Sequence, residues 1–406
     1  MAKITTRAAK AKRQPDRASS ARAGRYISQP VGYRVFIPNP LPPHPPITLD
    51  EEMWNLLSKA DLAVGRLDGS TETLPNPDLF VFMYVRREAV LSSQIEGTQA
   101  SLIDVLEFEA QAAEPGHPED VAEVVNYVAA MNHGLERLAK LPVSLRLIRE
   151  IHGKLMQGVR GAERNPGEFR NSQNWVGPPG STVANARYVP PPPHEMREAL
   201  NNFEKFLHQE HPMPALIKVG IAHSQFETIH PFLDGNGRVG RLLITFLLCE
   251  KEILKRPLLY LSHFFKLNRA EYYDRLQAVR DRGDWEGWLK FFLQGVAQVA
   301  DEATMNARWI VKMREEHRNL ILNRLGRASG KGLQLLERLY FRPIVSVQTV
   351  AEITGLSFAN ANSLARQLET VGLLRETTGR KRNRRFSHQP YLDLFQEGSA
   401  ENRGQQ

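Results

Sequence analysis

Chemistry concentrates in residues 230–241, His230-Pro-Phe-Leu-Asp-Gly-Asn-Gly-Arg-Val-Gly-Arg241. Gly235 and Gly237 flank an asparagine just ahead of a very apolar run. Glycines there let a ligand approach the backbone, and successive amides at a helix N-terminus form an anion cradle. Arg238 and Arg241 fall in the first turn of that helix, where cations oppose the helix dipole. They make little sense for stability and good sense as ligands of phosphates. Asp234 adds a carboxylate suited to a Mg²⁺ that also binds phosphate oxygens. His230 can take a proton from an attacking hydroxyl. Together these parts describe phosphoryl or nucleotidyl transfer. The stretch Gly326-Arg-Ala-Ser-Gly-Lys331 does not compete as a P-loop. It is one residue short, and Gly332 stands where the Ser or Thr belongs.

The stretch resembles the Fic motif, His-x-Phe-x-Asp/Glu-Gly-Asn-Gly-Arg-x-x-Arg, with every defining position matched. The resemblance runs over residues 50–309 and implies a mainly α Fic fold acting as a protein adenylyltransferase on ATP. It implies that His230 deprotonates a Ser, Thr or Tyr hydroxyl of a target protein, which attacks the α-phosphorus as pyrophosphate leaves. Carried over, Asp234 holds Mg²⁺. Gly235, Asn236, Gly237, Arg238, Val239, Gly240 and Arg241 form the ATP-binding run, with Arg241 on the γ-phosphate. Phe232 is a core anchor for the loop. Ser92-Ser-Gln-Ile-Glu96-Gly97 is similar to the family's inhibitory motif, so Ser92, Glu96 and Gly97 form a brake in which Glu96 occupies the fork of Arg241. In some members of the family this glutamate also serves removal of AMP, so a reverse activity is open. Residues 161–193 match the family's flap, which docks the target segment by strand addition. Asn174, Trp175 and Tyr188 are candidates to line that groove. Tyr273 is the candidate adenine contact. Fic folds also transfer UMP, phosphate or phosphocholine, which leaves the donor open.

These residues need a helical scaffold. Apolar spacing of three and four predicts helices over 50–67, 78–106, 118–139, 143–156, 195–209, 215–229, 238–248, 270–281 and 284–309, the last continuing to 325. The helix over 78–106 carries residues 92–97 inside it. Residues 161–193, rich in Gly, Pro and Asn, read as a β-hairpin with extended pieces at 174–176 and 187–190. Residues 26–49 are proline-rich and extended. Residues 326–332 read as a glycine linker. Beyond them, helices at 333–339, 346–354 and 360–371 and a hairpin through 373–387 fit a winged helix-turn-helix. Its recognition helix offers Asn360, Asn362, Arg366 and Gln367. The expected division is a basic tail (1–25), a helical region with the inhibitory motif (26–130), a catalytic core (131–325), the winged helix (326–395) and a tail (396–406).

The 406 residues carry 53 Lys and Arg against 45 Asp and Glu, a net charge of +8. Much of the excess sits in residues 1–25 and 380–385. A local excess suits an anionic partner such as DNA on the wing, or simply a solvated tail at the N-terminus. Hence a second expectation from another class: a DNA-binding transcriptional regulator whose core senses nucleotide. The single cysteine, Cys249, excludes an internal disulfide and reads as a small buried hydrophobe. No apolar stretch approaches the ~20 residues that span a bilayer. A cytoplasmic homodimer is the expected setting.

Overall fold

The computed structural model describes residues 22–72, 77–110, 119–161, 163–178 and 180–395. Most of the tails expected at 1–25 and 396–406 thus lies outside the described residues. Within them the chain is mainly helical. Its first element is nevertheless a two-stranded antiparallel sheet, β1 (Gly24–Ser28) with β2 (Arg34–Pro38). The tail expected to residue 25 therefore ends earlier, at the strand residues Gly24 and Arg25, and the extended segment beyond it is in part paired as strands. Arg22 fastens the start of this sheet by a two-pronged ion pair to Glu286, at 2.7 and 2.8 Å.

Ten helices follow before the long one: α1 (Glu51–Glu72), α2 (Pro77–Ile95), α3 (Leu102–Ala110), α4 (Glu119–Leu138), α5 (Leu145–Leu155), α6 (Pro193–His208), α7 (Ala215–Ile229), α8 (Asn236–Glu250), α9 (Ser262–Leu267) and α10 (Arg269–Arg282). Then α11 (Trp285–Arg324) runs unbroken for 40 residues. Asp50 and Asp284 supply the side-chain oxygens that start α1 and α11, accepting from Met53 and Gly287 amides. α1 lies along α11, and α8 sits at the centre with α4, α5 and α7 around it. Past its first turn α8 is buried almost all round, so its apolar run serves as core rather than as one face.

The single helix expected over 78–106 is two. α2 ends at Ile95, and Gly97 turns the chain at φ +104°, a region that favours glycine. Thr98 Oγ1 closes the turn on the Ser93 carbonyl at 2.6 Å. Residues 92–97 therefore lie at a helix end and not within one.

The C-terminal part comprises α12 (Ser329–Leu339), β3 (Ile344–Ser346), α13 (Val347–Thr354), α14 (Phe358–Thr370), β4 (Arg375–Glu376), β5 (Arg385–Ser387) and α15 (Gln389–Leu392). The strands pair in the order β3-β5-β4. The linker expected at 326–332 is not one. Gly326–Ala328 form a 3-10 turn and Ser329 already begins α12. Gly332 is buried against α11, where a Cβ would press on Leu325 and Ile321. Its glycine permits close helix approach rather than flexibility. This part also packs on α2: Phe341 meets Phe82 edge-on at 6.3 Å, and Phe395 meets Tyr84 at 5.5 Å.

Candidate active site

α7 ends where the chemistry starts. His230 caps it at φ +51°, its amide still bonded to the Phe226 carbonyl at 2.9 Å, and Pro231 prevents continuation. The loop to α8 is held at each residue. Phe232 is buried and stacks on the His152 ring, centroids 3.7 Å apart and 4° from parallel. Asn236 brackets Phe232, accepting from its amide and donating to its carbonyl, both at 2.8 Å. The Asn236 side chain is thus a staple for the loop, and the residue also lines the cavity that His230 and Arg241 face. His152 Nδ1 accepts from the Gly167 amide at 2.8 Å, which puts its proton on Nε2, donated to the Asp234 carbonyl at 3.1 Å. Burial, the largest influence, holds this imidazole down to about 4, so it stays neutral. Arg170, itself buried, donates to the carbonyls of His230 at 3.0 Å, Ser172 at 3.1 Å and Pro191. It ties the loop to the flap. Sequence spacing marked neither His152 nor Arg170, because both act through backbone atoms far away in the chain.

His230, Asp234, Gly235, Gly237 and Arg241 line one cavity of about 320 Å³, together with Glu96 and Tyr273. His230 is half-buried, and its Nδ1 is covered and unpartnered. Burial, with Arg170 and Arg280 adding to it, lowers the ring to about 3. It is therefore neutral and free to accept a proton. Arg241 is engaged through two of its nitrogens. Its Nε donates to Ser92 Oγ at 2.7 Å, and one terminal nitrogen donates to the Ser92 carbonyl at 2.9 Å and to Glu96 Oε1 at 2.7 Å. Burial alone would raise the Glu96 carboxyl, but the Arg241 guanidinium outweighs it and keeps the group below its ordinary range. A Cβ on Gly237 would overlap the Glu96 carboxylate. Glu96 thus lies directly over the first turn of α8, in the place the anion cradle offers to a ligand.

Three residues of the expected ATP-binding run stand elsewhere. Arg238 is buried and turned away from the cavity, paired with Glu123 at 3.0 Å. Glu123, on α4, also meets Arg160 at 3.4 Å and had no signal in the sequence. Val239 is core, with its amide spent on the Gly235 carbonyl at 3.0 Å. Gly240 faces Phe226 and Glu227. The flap is less than a hairpin. One bridge, Val176 with Tyr188, joins its legs by bonds of 2.8 and 3.0 Å. Asn174 and Tyr188 do not line an open groove. Asn174 donates inward to the Phe232 carbonyl at 2.7 Å, and the Tyr188 ring lies under Arg280 with its hydroxyl on the Thr228 carbonyl. Trp175 is 43% exposed and at the cavity mouth. Cys249 is only partly covered, and burial beside Asp68 pushes its thiol up to about 12.

Among the described residues no three His, Cys, Asp or Glu side chains gather as a metal-binding set. Asp234 still fits a Mg²⁺ held mainly by phosphates and water, which needs one or two carboxylates from the protein. It is one-third exposed. Its Oδ2 meets only the half-exposed Arg164, at 3.2 Å, which can swing aside. No described helix is long and apolar enough to cross a membrane.

Known proteins match this arrangement. The Fic/DOC family N-terminal model covers residues 54–136, and the Fic/DOC family model residues 142–248. Over 164 residues the chain is 33% identical to the protein adenylyltransferase Fic of Aedes aegypti, which is 39% of this chain and 29% of that protein. The Drosophila ananassae protein of the same name is 30% identical over 40% of this chain and 29% of its own length. The chain thus spans about three-tenths of the length of these curated relatives. A crystal structure of a Fic family protein from Desulfovibrio desulfuricans shares the fold, with a TM-score of 0.54 at 20% identity over 84% of this chain and 97% of that one. With both family models matched in sequence order, and the motif loop closing α7 onto the first turn of α8, residues 54–136 and 142–248 are the N-terminal and central regions of a Fic/DOC family protein.

Proposed function

We propose that this protein is an adenylyltransferase that moves AMP from ATP to a hydroxyl of a target protein, and that it is held in check by its own Glu96. The observation that carries this reading is a shared cavity: a neutral His230, the first residues of α8, and Glu96 clamped on Arg241 all face it. His230 takes the hydroxyl proton as the oxygen bonds to the α-phosphorus. The bond from that phosphorus to the β-phosphate oxygen breaks, and pyrophosphate leaves. The Gly237 amide, at the start of α8, holds phosphate oxygens, and Arg241 takes the γ-phosphate once Glu96 departs. Asp234 would hold Mg²⁺, which would neutralise charge on the phosphates. Arg238 acts indirectly, its guanidinium fixed by Glu123 behind the cradle. The low proton affinity of His230 suits the empty site. Arriving phosphates raise it by adding negative charge beside the ring. Tyr273 forms one wall for the base, and Trp175 stands where a target segment enters.

The test is transfer of label from α-labelled ATP to protein. Glu96→Gly is expected to raise labelling at least tenfold, and adding His230→Ala to remove it, a loss of about 10²–10⁴ for a general base. Label that is unchanged by Glu96→Gly would remove the brake. Label that survives His230→Ala would remove the base. Label appearing only from a different donor would place the chain among Fic proteins that transfer other groups. Return of AMP from a labelled target would reveal the reverse activity.

A second reading rests on the C-terminal part, read as a winged helix over 326–395 beside the helical region (26–130) and core (131–325). Arg380, Lys381 and Arg382 are exposed on the β4–β5 connection, and Arg384 is tied to Asn362 of α14. Such a basic hairpin beside an exposed helix suits duplex DNA. Binding that weakens steeply with salt, and loses slope when Arg380, Lys381 and Arg382 are changed to Ser, supports it. A flat salt dependence excludes it.

A further inference from the structure

The cavity contains one acid used by neither the motif nor the brake. Glu227 stands on α7 one turn before His230, only 7% exposed, and its Oε1 is buried without a hydrogen-bond partner. An atom left so is destabilising, and an apolar side chain of similar size would avoid it. The fold nevertheless makes room for it. A Cβ on Gly240 would overlap Glu227 Oε1, so glycine there leaves the carboxyl its place, although glycine is unfavourable within a helix. The nearest cations are engaged elsewhere. Arg280 donates to the Glu227 main-chain carbonyl and to Thr228 Oγ1, both at 3.2 Å. Arg241 is spent on Ser92 and Glu96. Around the acid, Tyr272, Tyr273 and Leu276 wall the same cavity. An acceptor set among aromatic and aliphatic walls is the way a pocket orients a flat ligand.

We propose that Glu227 reads the nucleoside of the bound nucleotide, its carboxyl accepting a hydrogen bond from either the exocyclic amine of the base or a ribose hydroxyl. The inference rests on the nucleotide reading above. It assigns the missing partner of a buried oxygen and makes donor choice a property of α7 as well as of the motif.

The experiment is calorimetry on the full chain carrying Glu96→Gly, with ATP, 2′-deoxy-ATP, 3′-deoxy-ATP and purine riboside triphosphate, which lacks the amine. With Glu227 in place, one analogue is expected to bind about tenfold more weakly than ATP, the equivalent of ~1.4 kcal/mol. Adding Glu227→Leu should weaken ATP by the same factor and leave that analogue unchanged. The melting temperature of the nucleotide-free Glu227→Leu chain should hold or rise, whereas loss of a merely structural acid would lower it. All analogues binding like ATP, or discrimination that survives Glu227→Leu, overturns the proposal. Should the leucine variant not fold, Glu227→Gln, which keeps an acceptor oxygen, should retain the discrimination within about threefold, and the analogue series on the Glu227 chain decides alone. Absence of any ATP binding to the Glu96→Gly chain overturns the nucleotide reading, and this inference with it.

Discussion

At the residue scale, the site is assembled by groups that do no chemistry. Arg170 gives a charged donor to three main-chain carbonyls, one of them that of His230. Arg170→Met removes all of these bonds and leaves the carbonyls buried. We expect destabilisation on the order of 3 kcal/mol, at the usual ~1–3 per unsatisfied group. We also expect at least a tenfold fall in labelling measured in the Glu96→Gly background below the melting transition. Unchanged labelling would show that the loop keeps His230 in place by itself. Residue identity in the motif was legible from sequence because glycine, histidine and arginine have few reasons to stand together at that spacing. Direction was not. Arg238 and Arg241 are three residues apart on one helix and alike in type, but Glu123 turns one away from the cavity while Glu96 keeps the other in it. Those two acids come from α4 and from the end of α2, and no local pattern shows which arginine each will meet.

At the element scale, α8 is placed by close packing. Gly134 of α4 lies against the Phe246 ring, and a Cβ there would overlap it. Gly134→Ala improves helix propensity by ~1 kcal/mol but overpacks the seat of α8, which typically costs about 1–3 kcal/mol. Net destabilisation is the expected outcome in urea unfolding, with a shifted midpoint and an unchanged slope. A more stable variant would show that α4 and α8 have slack. The helices were largely legible because their apolar spacing is strong, and α7 falls over the expected 215–229. Three elements were not. The β1–β2 sheet hides in a proline-rich stretch because its strands are short and only partly apolar. The break in α2 depends on a single glycine whose positive φ is a matter of tertiary context. The flap was expected as a full hairpin, yet its two extended pieces pair at one bridge, and the described residues between them close local turns such as Ser181 on Pro178 and Asn185 on Thr182.

At the scale of the whole molecule, buried titratable groups set the response to acid. Burial holds His152 down to about 4 and His223, His230 and His388 to about 3, against ~6.5 in the unfolded chain. Each therefore contributes stability that is present above the unfolded value and is lost as pH falls below it. Glu88 and Glu227, pushed up to about 7 by burial, work in the opposite sense: their folded forms hold protons that the unfolded chain has released. Between about pH 4.5 and 6.5 the four histidines outnumber the two glutamates, so the unfolded chain binds more protons and stability climbs with pH. The urea midpoint should be lower at pH 5 than at pH 6.5. A flat or falling profile would mean that the histidines open to water before global unfolding.

One helix joins the two ends of this architecture. α2 presents Phe82 and Tyr84 to the C-terminal part, and its last residues lead straight into Glu96 on Arg241. That shared helix is a thermodynamic link. If a partner of the C-terminal part prefers one setting of α2, then by reciprocity it changes the affinity of the cavity by the same factor with which nucleotide changes its own. Occupancy at either end would then be a reading of occupancy at the other, with no contact between the two ligands.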